Sequence, residues 1–369
     1  MKTRQLLVIP DNSTDATVEV TVLIPAHNEE KSIAMTLEAV LSQDRPADRV
    51  VVVANGCDDR TADIARSFPV TVMEFPRLAH RKAEALNIAW AEYAKYSDVV
   101  VCLDADTVLP PNALRDWEIE LTSDVTLGGS SSKFTMQQPG ILSRLQKAEF
   151  ATWTDTALRK GWTSVLAGTG CAISGAALRV IAARDDRQGP WSYESATEDF
   201  ELTYRIRESG WKCHVSTTVR AYTDSMSTIR ALWGQRMKWQ TGTVEDLLTF
   251  GLNRLTWRDW GQQALGLLNG VMRLLWIFVL VGAISMGMTI AWFWWCFPLL
   301  FVWLEVYRSM RIPHRDRKDM LLAASFFPAE LFTLLRLAWF WASWASVVHG
   351  KMTHKKIDRW AAQYAAEGA

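Results

Sequence analysis

The chain reads as an α/β protein built on a doubly wound, mostly parallel sheet, followed by a Trp-rich helical region. Three observations carry that reading. Short β-branched runs alternate with segments of helical spacing through the first hundred residues. The runs are continuous and β-branched rather than alternating apolar and charged, the mark of strands buried on both faces. Polar residues gather just after three of them, and in open α/β sheets the carboxyl ends of the strands carry the ligand.

Residues 20–24 form the first run, and Ile33, Leu37, Val40 and Leu41 put an apolar stripe on a helix over 28–43. Residues 50–54 form the second, with a helix over 59–67. The third, 70–73, leads into a helix over 81–93 that carries Ala85, Leu86, Ala89 and Tyr93. The fourth, 99–103, ends on Asp104-Ala105-Asp106. Further on, 166–176 is a small-residue loop and strand. Thr197 is placed as the hydroxyl N-cap of a helix with Glu198 and Asp199 in its first turn, Phe200, Tyr204 and Ile206 on one side, and Gly210 as its stop. Residues 212–219 read as another strand, and 231–240 combine aromatic and cationic side chains.

Composition narrows the function classes. The chain has 40 Lys+Arg and 40 Asp+Glu, so its net charge is zero and no general attraction to nucleic acid is expected. Five scattered cysteines without a Cys-x-x-Cys pair argue against a disulfide framework or a zinc site, and for a reducing compartment. No Gly-x-Gly-x-x-Gly follows the first strand and no Gly-x-x-x-x-Gly-Lys occurs, which disfavours a dinucleotide dehydrogenase or a P-loop NTPase.

Most of the 19 tryptophans lie after residue 230, as at a membrane interface. Residues 274–304 carry no Lys, Arg, Asp or Glu and are expected to form a helical hairpin turning near Gly282 and Gly287. Residues 321–348, interrupted by Pro328, Glu330 and Arg336, are expected to lie interfacially or re-enter. The basic loop 306–319 (Arg308, Arg311, Arg315, Arg317, Lys318) and the basic tail 351–359 (Lys351, Lys355, Lys356, Arg359) belong on the cytoplasmic side. The amino-terminal residues lack the apolar core of a signal peptide, so the catalytic part is expected there too.

Asp104 and Asp106 at a strand's carboxyl end can share one divalent ion that in turn binds a diphosphate; taken alone, the tripeptide also suits a turn. Asn55 and Asp59 suit a base or ribose, or else turn and cap duty. Lys82 suits a phosphate or a solvated helix face. Asp199, in a first turn where the macrodipole favours an anion, suits a general base, with Glu198 and Glu201 fitting the dipole equally well. Gln235, Arg236, Lys238 and Trp239 combine donors for phosphate with an indole able to stack on a sugar, or make an amphipathic interfacial helix.

As a set, these motifs resemble the family-2 glycosyltransferases, in the membrane-associated branch that includes cellulose, chitin and hyaluronan synthases. The resemblance covers about residues 18–245. It rests on Val22-Leu-Ile-Pro-Ala-His-Asn-Glu-Glu, Asn55-Gly-Cys-Asp-Asp-Arg-Thr, Lys82-Ala-Glu-Ala-Leu-Asn, Asp104-Ala-Asp, Thr197-Glu-Asp and Gln235-Arg-Met-Lys-Trp, in that order. It implies a glycosyltransferase-A fold, a nucleotide-sugar donor, usually UDP-linked, and Mg²⁺ or Mn²⁺.

Carried over by position, Pro25, His27, Glu29, Asn55, Asp59 and Lys82 would line the nucleotide site. Asp104 and Asp106 would hold donor and metal, and Asp199 would be the base. Gln235, Arg236, Lys238 and Trp239 would close over the diphosphate. Gly168, Thr169, Gly170, Glu198 and Trp239 would meet the acceptor. The chain departs from the family pattern at Ala54-Asn55, where an acidic pair is usual, at Arg81, usually glycine, and at Lys238, usually arginine.

The resemblance implies a catalytic domain over 1–245, its nucleotide half about 18–125 and its acceptor half about 126–245, then a membrane-associated region over 246–369. The expected reaction is inverting transfer of one or a few sugars to a lipid, glycan or surface-protein acceptor. A small processive synthase is the alternative, and a sugar-nucleotide-binding scaffold the non-enzymatic one. A homo-oligomer is compatible with the pattern.

Overall fold

The computed structural model describes residues 17–288, 296–354 and 358–367. Trp292, Phe293, Trp294 and Trp295 of the aromatic run, and Lys355 and Lys356 of the basic tail, lie outside the described residues.

The first half alternates as its periodicity requires. Strands β1 (Val20–Ala26), β2 (Arg49–Asn55), β3 (Thr71–Phe75) and β4 (Val99–Cys102) are separated by helices α1 (Ile33–Leu41), α2 (Thr61–Arg66) and α3 (Arg81–Ala89), the last continuing as a π-turn over Trp90–Ala94. These four strands run parallel in the order β3-β2-β1-β4. Both faces are covered. Val22, Ile24, Leu37 and Trp117 pack in one layer, and Leu23, Val51, Val53 and Leu86 in the other, each at most 1% exposed.

The sheet then changes character. After α4 (Ala113–Ser123) come β5 (Leu127–Thr135), α5 (Ile141–Lys160), β6 (Cys171–Ser174), α6 (Gly175–Ala182), α7 (Glu198–Glu208) and β7 (Lys212–Tyr222). Strand β6 runs antiparallel to both β4 and β5, and β7 parallel to β5, completing seven strands in the order β3-β2-β1-β4-β6-β5-β7. The sheet is therefore mixed on this side. Strand β5 begins Leu-Gly-Gly-Ser-Ser-Ser, without the β-branched run of the first four strands. Its small residues make room for neighbours instead, since a Cβ on Gly129 would lie 2.3 Å from Leu166 Cδ1.

The carboxyl-terminal part is helical: α8 (Ile229–Phe250), α9 (Trp257–Ser285), α10 (Cys296–Ser309), α11 (Arg317–Ala324), α12 (Phe326–Thr353) and α13 (Arg359–Glu367). The boundary expected at 245 falls inside α8, which ends at Gly251 (φ +70°). Of the hairpin expected over 274–304, the first part belongs to α9, which starts at Trp257 and runs through Gly282, and the last to α10 from Cys296; residues 289–295 lie outside the described residues.

The segment 321–348 is interrupted, but at Ser325 between α11 and α12 rather than at Pro328, Glu330 or Arg336; from Phe326 α12 runs unbroken for 28 residues. Pro328 falls in its first turn, where a missing N–H costs little. Glu330 pairs with Arg273 of α9, and Arg336 meets Glu149 of α5 at 2.9 Å. By length and composition both α9 and residues 327–353 of α12 could cross a membrane. The basic loop also binds inward: Arg311 pairs with Asp155 at 2.6 Å, while Asp316 and Asp319 receive Arg144 of α5.

Candidate active site

The carboxyl ends of β1, β2 and β4 open into one cavity of about 1480 Å³. It runs from these strand ends, past the first turn of α7 and the middle of α8, to polar side chains between α9, α10 and α12. Pro25, His27, Glu29, Asn55, Lys82, Asp104, Asp106, Gly168, Thr169, Glu198, Asp199, Gln235, Arg236, Lys238 and Trp239 all line it.

Its acidic end is charge-frustrated. Burial, with the charges of Asp104 and Asp224, raises the Asp106 carboxyl to about 7. Asp106 accepts hydrogen bonds from Thr107 (3.2 Å) and Thr223 (3.3 Å). Burial, with the charges of Asp106 and Asp104, likewise raises Glu29 to about 7 against a 2.6 Å hydrogen bond from Ser32. Asp224 is raised by burial too.

Among the described residues no three His, Cys, Asp or Glu side chains are grouped to hold a metal ion by themselves. The donor set is instead a pair of hard carboxylates with further acids near. That suits Mg²⁺ or Mn²⁺, which commonly take one or two protein carboxylates and complete their shell with substrate phosphates and water.

Lys82 bridges this end to the next. Its ammonium lies 2.5 Å from Asp104 Oδ1 and 3.7 Å from Glu198 Oε1. Burial alone would lower it, but these carboxylates overcome that and hold it above its ordinary value. Gly168 is small for this reason, since a Cβ there would stand 2.6 Å from Lys82 Nζ.

Asp199 opens α7 and faces the cavity half-buried. Burial, with the Glu198 charge, lifts it to about 6, against the pull of Lys82 and the Phe200 N–H that donates to Oδ1 at 2.8 Å. A carboxyl near 6 is ionised at neutral pH yet a stronger base than an ordinary aspartate. Asp246 of α8 holds the approach to it. It accepts from Ser195 at 2.8 Å and Thr197 at 3.0 Å. The hydroxyl of Thr197 thus serves Asp246 rather than the helix cap expected of it.

Several of the expected site residues also hold partners within the chain. Asp59 accepts from the backbone N–H groups of Thr61 (2.9 Å) and Glu30 (3.0 Å), a turn role, and is not among the residues lining the cavity. Gly170 is likewise behind the wall, its carbonyl accepting from Ser132 N–H. Asn55 lines the cavity, but its Oδ1 accepts from Leu78 N–H at 2.9 Å and holds the loop before α3. Arg236, expected on a diphosphate, is 3% exposed and donates to Glu149 Oε2 at 2.9 Å, its guanidinium 4.5 Å from the centre of the Trp239 ring.

Lys238 lines the cavity, its Nζ 3.2 Å from the centre of the Trp360 ring. Burial lowers it to about 8, opposed by Glu198, Asp199 and Asp104. Sequence reasoning missed Asp224, Thr223, Glu149, Asp246 and the α13 residues Trp360 and Tyr364, because each gains its meaning only from chain segments brought together by the fold.

The family model described as "Glycosyltransferase like family 2" matches residues 17–242. The chain belongs to this family. Like other glycosyltransferase-A folds, this family-2 chain resembles a solved mannosyltransferase from Pyrobaculum calidifontis, in complex with GDP-Man and Mn²⁺. The TM-score is 0.57 at 20% identity, over 90% of each chain.

Curated relatives include a probable glycosyltransferase, YdaM, of Bacillus subtilis, 28% identical over 63% of this chain and 57% of its own length. Another is the poly-beta-1,6-N-acetyl-D-glucosamine synthase of Staphylococcus aureus, 27% identical over 65% of this chain and 58% of its own. This family-2 chain is thus matched to a little over half the length of those relatives. The match contains every motif residue from Pro25 to Trp239 and excludes α9 to α13.

Proposed function

We propose that the chain is a membrane-attached glycosyltransferase. It would move a sugar from a nucleotide-diphosphate donor, UDP-linked in the first instance, to an acceptor hydroxyl with inversion. The observation that carries this is the joining of the Asp104–Asp106 strand end, Lys82 and Asp199 along one cavity. Pro25, His27, Glu29 and Asn55 take the nucleoside side. Asp106, whose remaining partners are only hydroxyls, stands nearest the ion, and Asp104, tied to Lys82, stands nearer the ribose.

Bound there, Mg²⁺ or Mn²⁺ neutralises charge on the departing diphosphate. Lys82 and Lys238 add fixed positive charge on that side, the role for which a preorganised cation is most effective. Asp199 takes the proton from the attacking hydroxyl while Glu198 and Thr169 flank the acceptor. Helices α9 and α12 attach the chain to a membrane, with the catalytic domain on the cytoplasmic face.

A lipid, glycan or surface-protein acceptor receiving one or a few sugars is the leading reading. The length of the cavity past Trp239 toward α9, α10 and α12 favours a small processive synthase as the second. The first test is a screen of UDP-Glc, UDP-GlcNAc, UDP-Gal and GDP-Man for metal-dependent hydrolysis, which needs no acceptor. One donor cleaved only with Mg²⁺ or Mn²⁺ supports the reading; cleavage of none opposes it.

A further inference from the structure

Helix α13 lies outside the family match, yet one side of it faces the cavity. Trp360, Gln363, Tyr364 and Glu367 line it, and a spacing of i, i+3, i+4 and i+7 puts all four on a single helix face. The helix is seated on α8. A Cβ on Gly234 would stand 2.7 Å from Ala366 Cβ, and Arg230 donates to the Ala365 carbonyl at 3.2 Å.

The cavity-facing side touches donor elements at two places one helical turn apart. Lys238 Nζ lies 3.2 Å from the centre of the Trp360 ring. The Tyr364 ring is 4.8 Å from that of His27, with the Arg77 and Arg81 guanidiniums each 5.6 Å from its centre.

A second observation ties α13 to the site. Arg81 immediately precedes Lys82 and has φ +48°, a left-handed conformation that non-glycine residues hold only when their surroundings enforce it. The Arg81 side chain is in turn held by Asp358, which accepts both arms of the guanidinium at 2.8 and 2.6 Å. A bidentate pair of this kind fixes direction as well as distance. The strained turn that aims Lys82 at Asp104 is thereby locked to the helix carrying Tyr364.

We infer that α13 is the closing wall of the donor site: Tyr364 and His27 form the face against which the nucleoside lies, and Trp360 fixes the Lys238 ammonium beside the diphosphate. This rests on the donor reading above. A flat base against an aromatic ring gains stacking that alanine removes, and the ring tolerates different bases because each has a π-face. Trp360 acts through Lys238 and is a positioning residue.

The test is calorimetric titration of UDP and of GDP, each with Mn²⁺, into the full chain, Tyr364→Ala, Tyr364→Phe and a chain ending at residue 354. Thermal melting provides the folding control. Tyr364→Ala is expected to weaken nucleotide binding about ten- to a hundredfold and to raise the donor KM far more than it changes kcat. Tyr364→Phe, which keeps the ring, restores binding.

The shortened chain binds at least as weakly as Tyr364→Ala, and if it fails to fold the point variants decide. Binding by a folded Tyr364→Ala as tight as that of the full chain, or tighter, overturns the inference and makes α13 at most a cover. A full chain that binds neither nucleotide overturns the donor reading and this inference with it.

Discussion

Replacing Asp199 by Asn separates chemistry from binding. The carboxyl is held at about 6, so at pH 7.5 it is nearly all ionised and able to take a proton. The amide cannot. General-base assistance is worth about 10²- to 10⁴-fold, or roughly 3–5.5 kcal/mol of barrier. The substitution keeps an oxygen to accept the Phe200 N–H and removes a charge that burial and Glu198 disfavour. Folding and nucleotide affinity should therefore hold while kcat falls.

The assay is initial-rate release of nucleoside diphosphate between pH 5 and 8.5, with whichever donor the wild type turns over. Wild-type kcat should climb with pH and level off above about 6, standing at roughly one-tenth of its plateau near pH 5. In the Asp199→Asn protein this limb should vanish along with most of the rate. A variant that keeps more than a tenth of wild-type turnover, or an unchanged acid limb, would refute the base assignment.

Three more perturbations probe the supports. Glu149 receives both Arg236 and Arg336, each at 2.9 Å, so Glu149→Gln leaves two guanidiniums short of a counter-charge. A loss of about 3–5 kcal/mol is expected, read as a lower melting temperature; an unchanged melt would show the triad to be dispensable. Gly242→Ala would bring a Cβ within 2.8 Å of Thr197, so overpacking of about 1–3 kcal/mol and a drop in kcat exceeding the change in nucleotide affinity are expected.

Stability should also depend on pH. Burial raises Asp246 from 3.8 to about 8 and Glu29 from 4.5 to about 7. Between the ordinary and raised values the folded state holds more protons than the unfolded, so stability falls as pH rises through that window. The slope is about 1.4 kcal/mol per pH unit for each such group. Melting from pH 5.5 to 8 should show the decline, and Asp246→Asn should flatten its upper part; a melt that rises with pH would contradict the sign.

The parallel half of the sheet was legible because its strands are mostly continuous β-branched runs, and only burial on both faces tolerates Val50-Val-Val-Val. The other half was not, since Gly129 and the serines of β5 owe their size to Leu166 and its neighbours rather than to any local preference. The motif acids fell on one cavity because strand ends of a parallel sheet converge, a property of topology that a sequence already contains.

The partners of Arg236 and Asp59 were not legible for the opposite reason: a guanidinium or carboxylate takes whichever partner the fold brings near, here Glu149 and two backbone N–H groups. Tyr364 was invisible because the 277 residues separating Arg81 from Asp358 leave no local trace of their contact. The break in 321–348 was placed at Pro328 but falls at Ser325, because a proline in a helix's first turn loses no hydrogen bond.

The central claim is that Asp104 and Asp106 share a divalent ion with the donor's diphosphate. Electron paramagnetic resonance of Mn²⁺ titrated into the protein, with and without UDP, tests it directly. Two carboxylates alone are a poor cage, so Mn²⁺ should bind weakly by itself, tighten at least tenfold when UDP is present, and lose that gain in Asp106→Asn. Equal Mn²⁺ affinity with and without UDP, or an Asp106→Asn protein that keeps the gain, would contradict the account.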